Sequence, residues 1–483
     1  MNLKLILLFI VCCFAKISCV QAQNDFSMAA DKTEVDTYVW PKDPKVKENL
    51  VTWQGNKFGI IIHMGLYSEL GTIESWGLCP EDWVTRDGYD DYYKYATDYR
   101  NTKLKFNPVN LDSKKWAKMF KDAGAKYMIF TSKHHEGFCM YDSKYTDFKV
   151  TDKSVPYSTN PKSDILKDVL DATRKEGLGV GVYFSKPDWS TQNFWWSYYP
   201  PKDRNPTYDI TKFPERWKSY VEYTQNQINE LTTNYGKIDM LWLDGCWVLP
   251  KSSITKRIEE YCKYPYDMDI NMKLIAEKAR QKQPGMLVVD RWVAGEFENY
   301  LTPEQKMPEK ALPVPWESCI TMGGAWGWVP NDSYKSSKEI VQLLVNIVAK
   351  GGNLLLGIGP NGKGEFEPKV YQNLAEVGKW LGANGEAIYE TKPIEPYLDG
   401  KVAYTAKGDD VIYAIYMPAK EEKELPSEII VKTKLKGKIK VSLLASNQKL
   451  SSKNNGGEIK ISIPQSLRTT LVKQEAVVIK ISG

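Results

Sequence analysis

From residue 58 to about 390, short runs of β-branched and aromatic residues alternate with stretches whose apolar positions recur at helical spacing. The runs predict strands over 58–63, 126–132, 178–185, 238–244, 286–290 and 353–358. The helical stretches cover 111–123, 164–175, 217–234, 272–283, 338–350 and 371–381. In the first of these, Trp116, Met119 and Phe120 share one face. Several helices end on stop signals: Gly177, Tyr235-Gly236, Pro284-Gly285 and Gly351-Gly352. Strands that alternate with helices predict parallel βα units, and this many units favour an α/β fold of the (β/α)8 barrel type over a Rossmann sheet. No Gly-x-Gly-x-x-Gly follows the first strand, which also counts against a dinucleotide fold. Residues 23–50 read as a polar leader.

Beyond about residue 393 the pattern changes. Short strands are predicted at 402–405, 411–416, 429–431, 439–441, 459–463 and 477–481, several with alternating apolar and polar residues and all separated by turn residues. This predicts a C-terminal antiparallel β-sandwich over 391–483, after a barrel over 23–390.

Composition narrows the class. The chain has 483 residues, too many for one compact core, and its 42% apolar and 26% charged content is that of a globular protein. Its 65 basic and 60 acidic residues are spread without a basic stripe, which argues against a nucleic-acid partner. With 16 Trp and 29 Tyr the chain is rich in flat rings; these suit either a sugar-stacking site or a large aromatic core. At the N-terminus, Lys4, the apolar stretch 5–15 and Val20-Gln21-Ala22 predict a signal peptide over 1–22 and an exported, periplasmic or extracellular protein. The apolar stretch is too short to span a membrane. Cys19 offers a lipoprotein alternative, although Lys16 stands where such a signal has Leu. Past this segment Cys79, Cys139, Cys246, Cys262 and Cys319 are scattered without metal-ligand spacing.

The candidate chemistry lies at predicted strand exits. The chain has only three histidines: His63 follows the first strand, and His134 and His135 follow the second. Asp244 ends the run Ile-Asp-Met-Leu-Trp-Leu-Asp before a glycine. Parallel α/β barrels build their sites at the C-terminal ends of their strands, so these residues predict one shared pocket. A zinc triad of His63, His134 and His135 is a rival reading. It requires the second strand to end before His134, because neighbouring strand residues face opposite ways.

The motifs resemble the α-L-fucosidases of glycoside hydrolase family 29. The matching stretches are 58–67 (FGIIIHMGLY), 127–148 (YMIFTSKHHEGFCMYDSKYTDF), 181–189 (GVYFSKPDW), 238–245 (IDMLWLDG), 288–292 (VVDRW), 301–304 (LTPE), 316–328 (WESCITMGGAWGW) and 352–360 (GNLLLGIGP). The resemblance implies an exported retaining exo-α-L-fucosidase that acts on fucosylated oligosaccharides or glycoconjugates, with no cofactor and no metal. It implies Asp244 as nucleophile and Glu304 as acid/base, with Glu317 as the alternate acid/base or a pocket hydrogen-bonder. It further implies sugar contacts from His63, His134, His135, Tyr183, Arg291, Glu74, Trp76, Glu317 and Trp326. Three departures from the family pattern stand out. Met64 replaces the usual Trp after the first His, Ser75 separates Glu74 from Trp76, and Gly357 replaces a common Asn. The aromatic loop 194–199 reads as a glycan subsite or a rim. Two rival functions stand beside this one: a non-catalytic glycan-binding protein on a hydrolase barrel, and an exo-glycosidase for another L-configured or 6-deoxy sugar. Linkage, oligomeric state and the role of the C-terminal domain are not legible.

Overall fold

The structure, a computed structural model, describes residues 32–483 apart from 82–83, 256–257, 260–265, 434 and 436–438. The expected signal segment and Cys262 lie outside the described residues. Seven parallel strands form the central sheet: β1 (Phe58–Ile62), β2 (Tyr127–Lys133), β3 (Gly179–Ser185), β4 (Met240–Asp244), β5 (Leu287–Asp290), β6 (Glu317–Thr321) and β7 (Asn353–Ile358). Their order is β5-β4-β3-β2-β1-β7-β6. The gap between β5 and β6 is filled by an irregular segment. Asn299 N donates to Val288 O at 3.0 Å on the β5 side, and Cys319 N donates to Pro303 O at 3.1 Å on the β6 side. The wall is therefore a (β/α)8-like barrel whose sixth place is taken by a non-regular chain, as the strand–helix rhythm predicts.

Strand parity sorts the side chains. Ile61, Ile129, Tyr183, Trp242, Val289, Cys319 and Leu355 point into the barrel, while Ile60, Phe130, Val182, Leu241, Val288 and Leu356 pack outward against the helices. Most strand positions are buried because both faces are covered, which explains why these strands read as continuous apolar runs.

Among the elements the pattern did not predict are β6, the helix Tyr92–Asn101 and a helix that closes the barrel. A helix over Pro44–Asn56 falls partly within the predicted polar leader, capped by the Asp43 side chain. Its buried Val46, Leu50 and Trp53 join the interior cluster of the barrel. The Trp53 ring stacks on Tyr300 at 3.8 Å, and Asn353 Nδ2 donates to Trp53 O at 2.8 Å. Phe58 and Asn353 are the first residues of their strands, so this helix plugs the N-terminal mouth of the barrel. Deleting a ring so placed costs about 3–5 kcal/mol. The sparse apolar residues of this helix, spaced four and three apart, were the only signal in the sequence.

From Lys392 the chain forms two antiparallel sheets. Five strands, β8 (Lys392–Asp399), β9 (Val402–Lys407), β10 (Val411–Tyr416), β12 (Lys440–Leu443) and β15 (Val477–Ser482), pair in the order β12-β15-β10-β9-β8. Three more, β11 (Glu428–Lys432), β13 (Ser452–Asn454) and β14 (Glu458–Ser462), form the second sheet. Tyr404, Ile412, Ile479 and Ile481 meet Ile429, Val431, Ile459 and Ile461 between the sheets. The opposite face of the larger sheet, with Ala403, Tyr413, Ile415 and Val478, belongs to the main core. The helix Ser337–Ala349 packs on β8 and β9 there, and Trp380 Nε1 donates to Ala476 O at 2.9 Å.

Candidate active site

The open end of the barrel holds a pocket of about 780 Å³, mouth included. It is lined by His63, His134, His135, Tyr183, Asp244, Arg291, Glu304, Trp76 and Trp326. The sequence also missed five lining residues: Arg204, Trp242, Cys246, Trp247 and Trp292.

Asp244 is the last residue of β4 and faces inward by the same parity that turns Trp242 inward. Tyr183, one layer deeper on β3, donates its hydroxyl to Asp244 Oδ2 at 2.7 Å. Arg291 follows β5 and donates Nη1 to Asp244 Oδ1 at 2.8 Å. The other terminal nitrogen, Nη2, reaches Glu304 Oε2 at 2.6 Å. Glu304 sits on the irregular segment that fills the sixth place of the barrel, bridged to Cys319 of β6. Trp326 Nε1 donates to its second oxygen at 3.1 Å. One planar guanidinium therefore holds two carboxyl groups side by side on adjacent nitrogens. Burial drives the Asp244 carboxyl upward; the Arg291 guanidinium and the Tyr183 hydroxyl more than offset this and hold it well below the usual carboxylate range. Asp244 is thus an ionised carboxylate that keeps 19% of its side chain open to the pocket.

The three histidines meet. β2 ends at Lys133, so His134 and His135 leave the strand and both turn into the pocket, their rings 4.2 Å apart. His63 lies 5.7 Å from His134 and 5.1 Å from Trp326. Burial is the main cause that keeps all three neutral: it lowers His134 to about 4 and the other two well below their ordinary value. A neutral imidazole offers one donor and one acceptor, which suits sugar hydroxyls. For His135 the assignment is fixed. Ser185 Oγ donates to Pro187 O at 2.6 Å, so it accepts from His135 Nδ1–H at 2.7 Å and leaves Nε2 as an acceptor.

A cation could reach His134, His135 and Asp244, whose ligand-capable atoms lie within 4.8 Å of one another. His63 is not part of that group. Arg291 already places a positive charge against Asp244, so a cation at this group would meet a like charge. The donor set fits a hydrogen-bonding pocket better than a zinc centre.

Two expected ligands lie elsewhere. Glu317 is the first residue of β6 and is aligned with Asn353 at the start of β7, which puts it at the plugged end of the barrel. It is fully buried there and accepts a short hydrogen bond from the Tyr127 hydroxyl. Trp242 and Tyr300 also lie against it. It cannot serve as an alternate acid/base or touch a sugar in the pocket. Glu74 is also fully buried; its Oε1 accepts from Gly327 N at 2.7 Å and secures the turn that carries Trp326. Ser75, between Glu74 and Trp76, lies against His134.

The other departures have local reasons. A Cβ at Gly357 would lie 2.6 Å from the Trp326 ring, so the glycine makes room for this tryptophan to cover β7 and reach the pocket. Met64 packs into the core outside the pocket, with its backbone N bonded to Thr131 Oγ1 at 3.0 Å. In the aromatic loop, Phe194 and Trp195 are buried and Trp195 stacks on Trp189 at 5.0 Å, while Tyr198 is exposed. The same excursion delivers Arg204, paired with Glu81 at 2.5 Å and lying over the Trp76 and Trp247 rings at 5.0 and 5.1 Å. The density of aromatics around 189–208 was its only sequence signal. Trp247 could have been read from its place three residues after Asp244.

Residues 26–386 match the family model "Alpha-L-fucosidase". Human plasma alpha-L-fucosidase is 30% identical over 437 residues, covering 85% of this chain and 84% of its own. Among solved structures, alpha-L-fucosidase isoenzyme 1 from Paenibacillus thiaminolyticus aligns with a TM-score of 0.71 at 30% identity, over 91% of this chain and 99% of the other. A Thermotoga maritima alpha-fucosidase in complex with a mechanism-based inhibitor aligns with a TM-score of 0.69 at 27% identity, over 92% and 100%. The chain belongs to the alpha-L-fucosidase family.

Proposed function

We propose that the protein is an exported retaining exo-α-L-fucosidase that removes terminal α-L-fucosyl groups from glycans. One observation carries the mechanism: Arg291 clamps Asp244 and Glu304 side by side at the open end of the barrel. Retaining enzymes hold their two carboxyl groups about 5 Å apart, with no room for a water between acid and base. In the first step an Asp244 oxygen attacks the anomeric carbon while Glu304 gives its proton to the departing glycosidic oxygen. The C–O bond to the aglycone breaks and a fucosyl ester forms. In the second step Glu304 takes a proton from water, the water oxygen attacks the same carbon, and the Asp244 carboxylate leaves. His63, His134 and His135 bind ring hydroxyls, and Tyr183, Trp76 and Trp326 shape the apolar side that a 6-deoxy methyl group needs. The inhibitor-bound Thermotoga maritima relative supports the same reading.

Export rests on the apolar stretch 5–15 and the small residues before position 23. Among the described residues, no helix is long and apolar enough to cross a membrane. The test is hydrolysis of an aryl α-L-fucoside followed by proton NMR. Release of the α-anomer of fucose first is the expected result. A β-anomer first would mean inversion, and no hydrolysis would leave the glycan-binding reading.

A further inference from the structure

The two adjacent histidines are held by two serines in different ways. Ser185 commits its proton to a backbone carbonyl, and a carbonyl can only accept, so the tautomer of His135 is fixed. Ser75 Oγ instead sits between His134 Nδ1 and Glu136 Oε2, the latter at 2.5 Å. A carboxyl group can accept or donate. The hydroxyl has one proton to give, so the three groups must be polarised in one direction or the other. We propose that Glu136, acting through Ser75, sets which ring nitrogen of His134 carries the proton, and with it whether this histidine offers the pocket a donor or an acceptor.

The two directions follow from counting protons. With Glu136 protonated, its O–H donates to Ser75 Oγ, Ser75 donates to Nδ1, and the His134 proton sits on Nε2. With Glu136 ionised, Ser75 donates to the carboxylate, Nδ1–H donates to Ser75, and Nε2 becomes an acceptor. Nδ1 is taken by Ser75 in both cases, so Nε2 is the atom left for a ligand of the pocket that His134 lines. Ser75 and Glu136 are wholly buried, so water does not decide the matter.

The groups that face Glu136 set its balance. Leu66 N lies 3.4 Å from Oε1. Tyr67 and Tyr99, from two helices, and Glu74, from the turn before Ser75, are all neighbours that ionised Glu136 disfavours or is disfavoured by. Asp188 acts in the same sense from beyond β3, and its own charge is paired with Lys133 at 2.7 Å. Burial first, then Asp188, lift Glu136 to about 7 against the hydrogen bonds from Ser75 and Leu66. Glu136 is therefore a positioning residue that touches the sugar only through His134. Its effect on catalysis rests on the pocket being the sugar site; its effect on the ring does not.

The chain has three histidines, so ¹⁵N-histidine labelling gives three rings to resolve, with His134 assigned by its loss in His134→Gln. In the native protein the proton of His134 should move from Nε2 at pH 5.5 to Nδ1 at pH 9, while His135 stays Nδ1–H throughout. Glu136→Gln, whose amide donates at every pH, should hold His134 as Nε2–H across the range. It should also remove the limb near neutrality from the kcat/KM profile, and keep kcat/KM at pH 5.5 within about fivefold. Ser75→Ala should abolish the pH dependence of the tautomer and lower kcat/KM by about tenfold at both extremes. A native His134 that keeps one tautomer from pH 5.5 to 9 overturns the proposal, as does a switch that persists in either variant. Should Glu136→Gln not fold, Ser75→Ala carries the same test. A switching ring in a protein with no fucosidase activity would sink the sugar-site reading and uphold this one.

Discussion

Tyr183 donates its hydroxyl to Asp244 across the β3–β4 pair at 2.7 Å, on the carboxylate oxygen that Arg291 does not hold. Both oxygens of the carboxylate are thereby oriented by neighbours that favour its charge. This is the preparation a nucleophile needs: ionised, fixed and still open to the pocket. Asp244→Ala should lower kcat by at least about 10³-fold. A fluorofucosyl mechanism-based reagent should label Asp244 in the native protein. Labelling of another carboxylate, with Asp244→Ala still active, removes the assignment. Tyr183→Phe should cost about tenfold in kcat/KM, the effect of one hydrogen bond to a charged group.

Chelation should have no effect. Arg291 already sets a positive charge against Asp244, the one carboxylate that a cation at His134 and His135 would share. Long dialysis against a strong chelator should leave kcat unchanged. A loss restored by zinc would return the histidines to the role of ligands.

Stability should fall as pH rises through neutrality. Burial lifts Glu317 to about 8 and Glu74 and Glu136 to about 7, from an ordinary 4.5. Below that ordinary value these groups are protonated in both folded and unfolded chains and contribute no slope. Between there and about 7 to 8 the folded protein holds protons that the unfolded chain has lost, so each pH step favours unfolding. Asp244, held low, works in the opposite sense and only in acid, where its stabilising charge is lost as pH falls. The melting temperature should therefore be higher at pH 5 than at pH 8. Glu317→Gln removes the largest contributor, and should raise the pH 8 value by a few degrees while leaving pH 5 nearly unchanged. Parallel melting curves for the two proteins at both pH values would refute this.

The barrel was legible because six of its strands are buried on both faces and read as apolar runs, with striped helices between them; β6, whose residues are Glu-Ser-Cys-Ile-Thr, carries no such run. The strand ends gave His63, His134, His135, Asp244 and Arg291 for the same reason: parity and a chain exit place them without tertiary knowledge. What failed depends on contacts far apart in sequence. Glu317 and Glu304 both sit in recognisable motifs, and only the register of β6 against β7 shows that one is at the plugged end and the other at the open end. Glu74 and Ser75 are neighbours in sequence, yet the first turns toward Gly327 and the second toward His134. Arg204 lies in an irregular loop with no periodicity to point it anywhere.

The acid/base assignment can be tested by leaving-group dependence. Glu304 shares the Arg291 fork with Asp244 and faces the pocket, whereas Glu317 is enclosed with Tyr127 at the opposite end. A phenolate with a low pKa departs without a proton, whereas a sugar alcohol does not. Glu304→Ala should therefore form the fucosyl ester from activated aryl fucosides but lose cleavage of natural glycosides by about 10²-fold or more. Its second step lacks a base to activate water, so azide should speed turnover and yield fucosyl azide. Glu317→Gln touches neither step. It should keep kcat/KM within about threefold for both substrate types and show no azide response. Azide rescue confined to a Glu317 variant would mean that the register of β6 has been misread and that the two glutamates exchange roles.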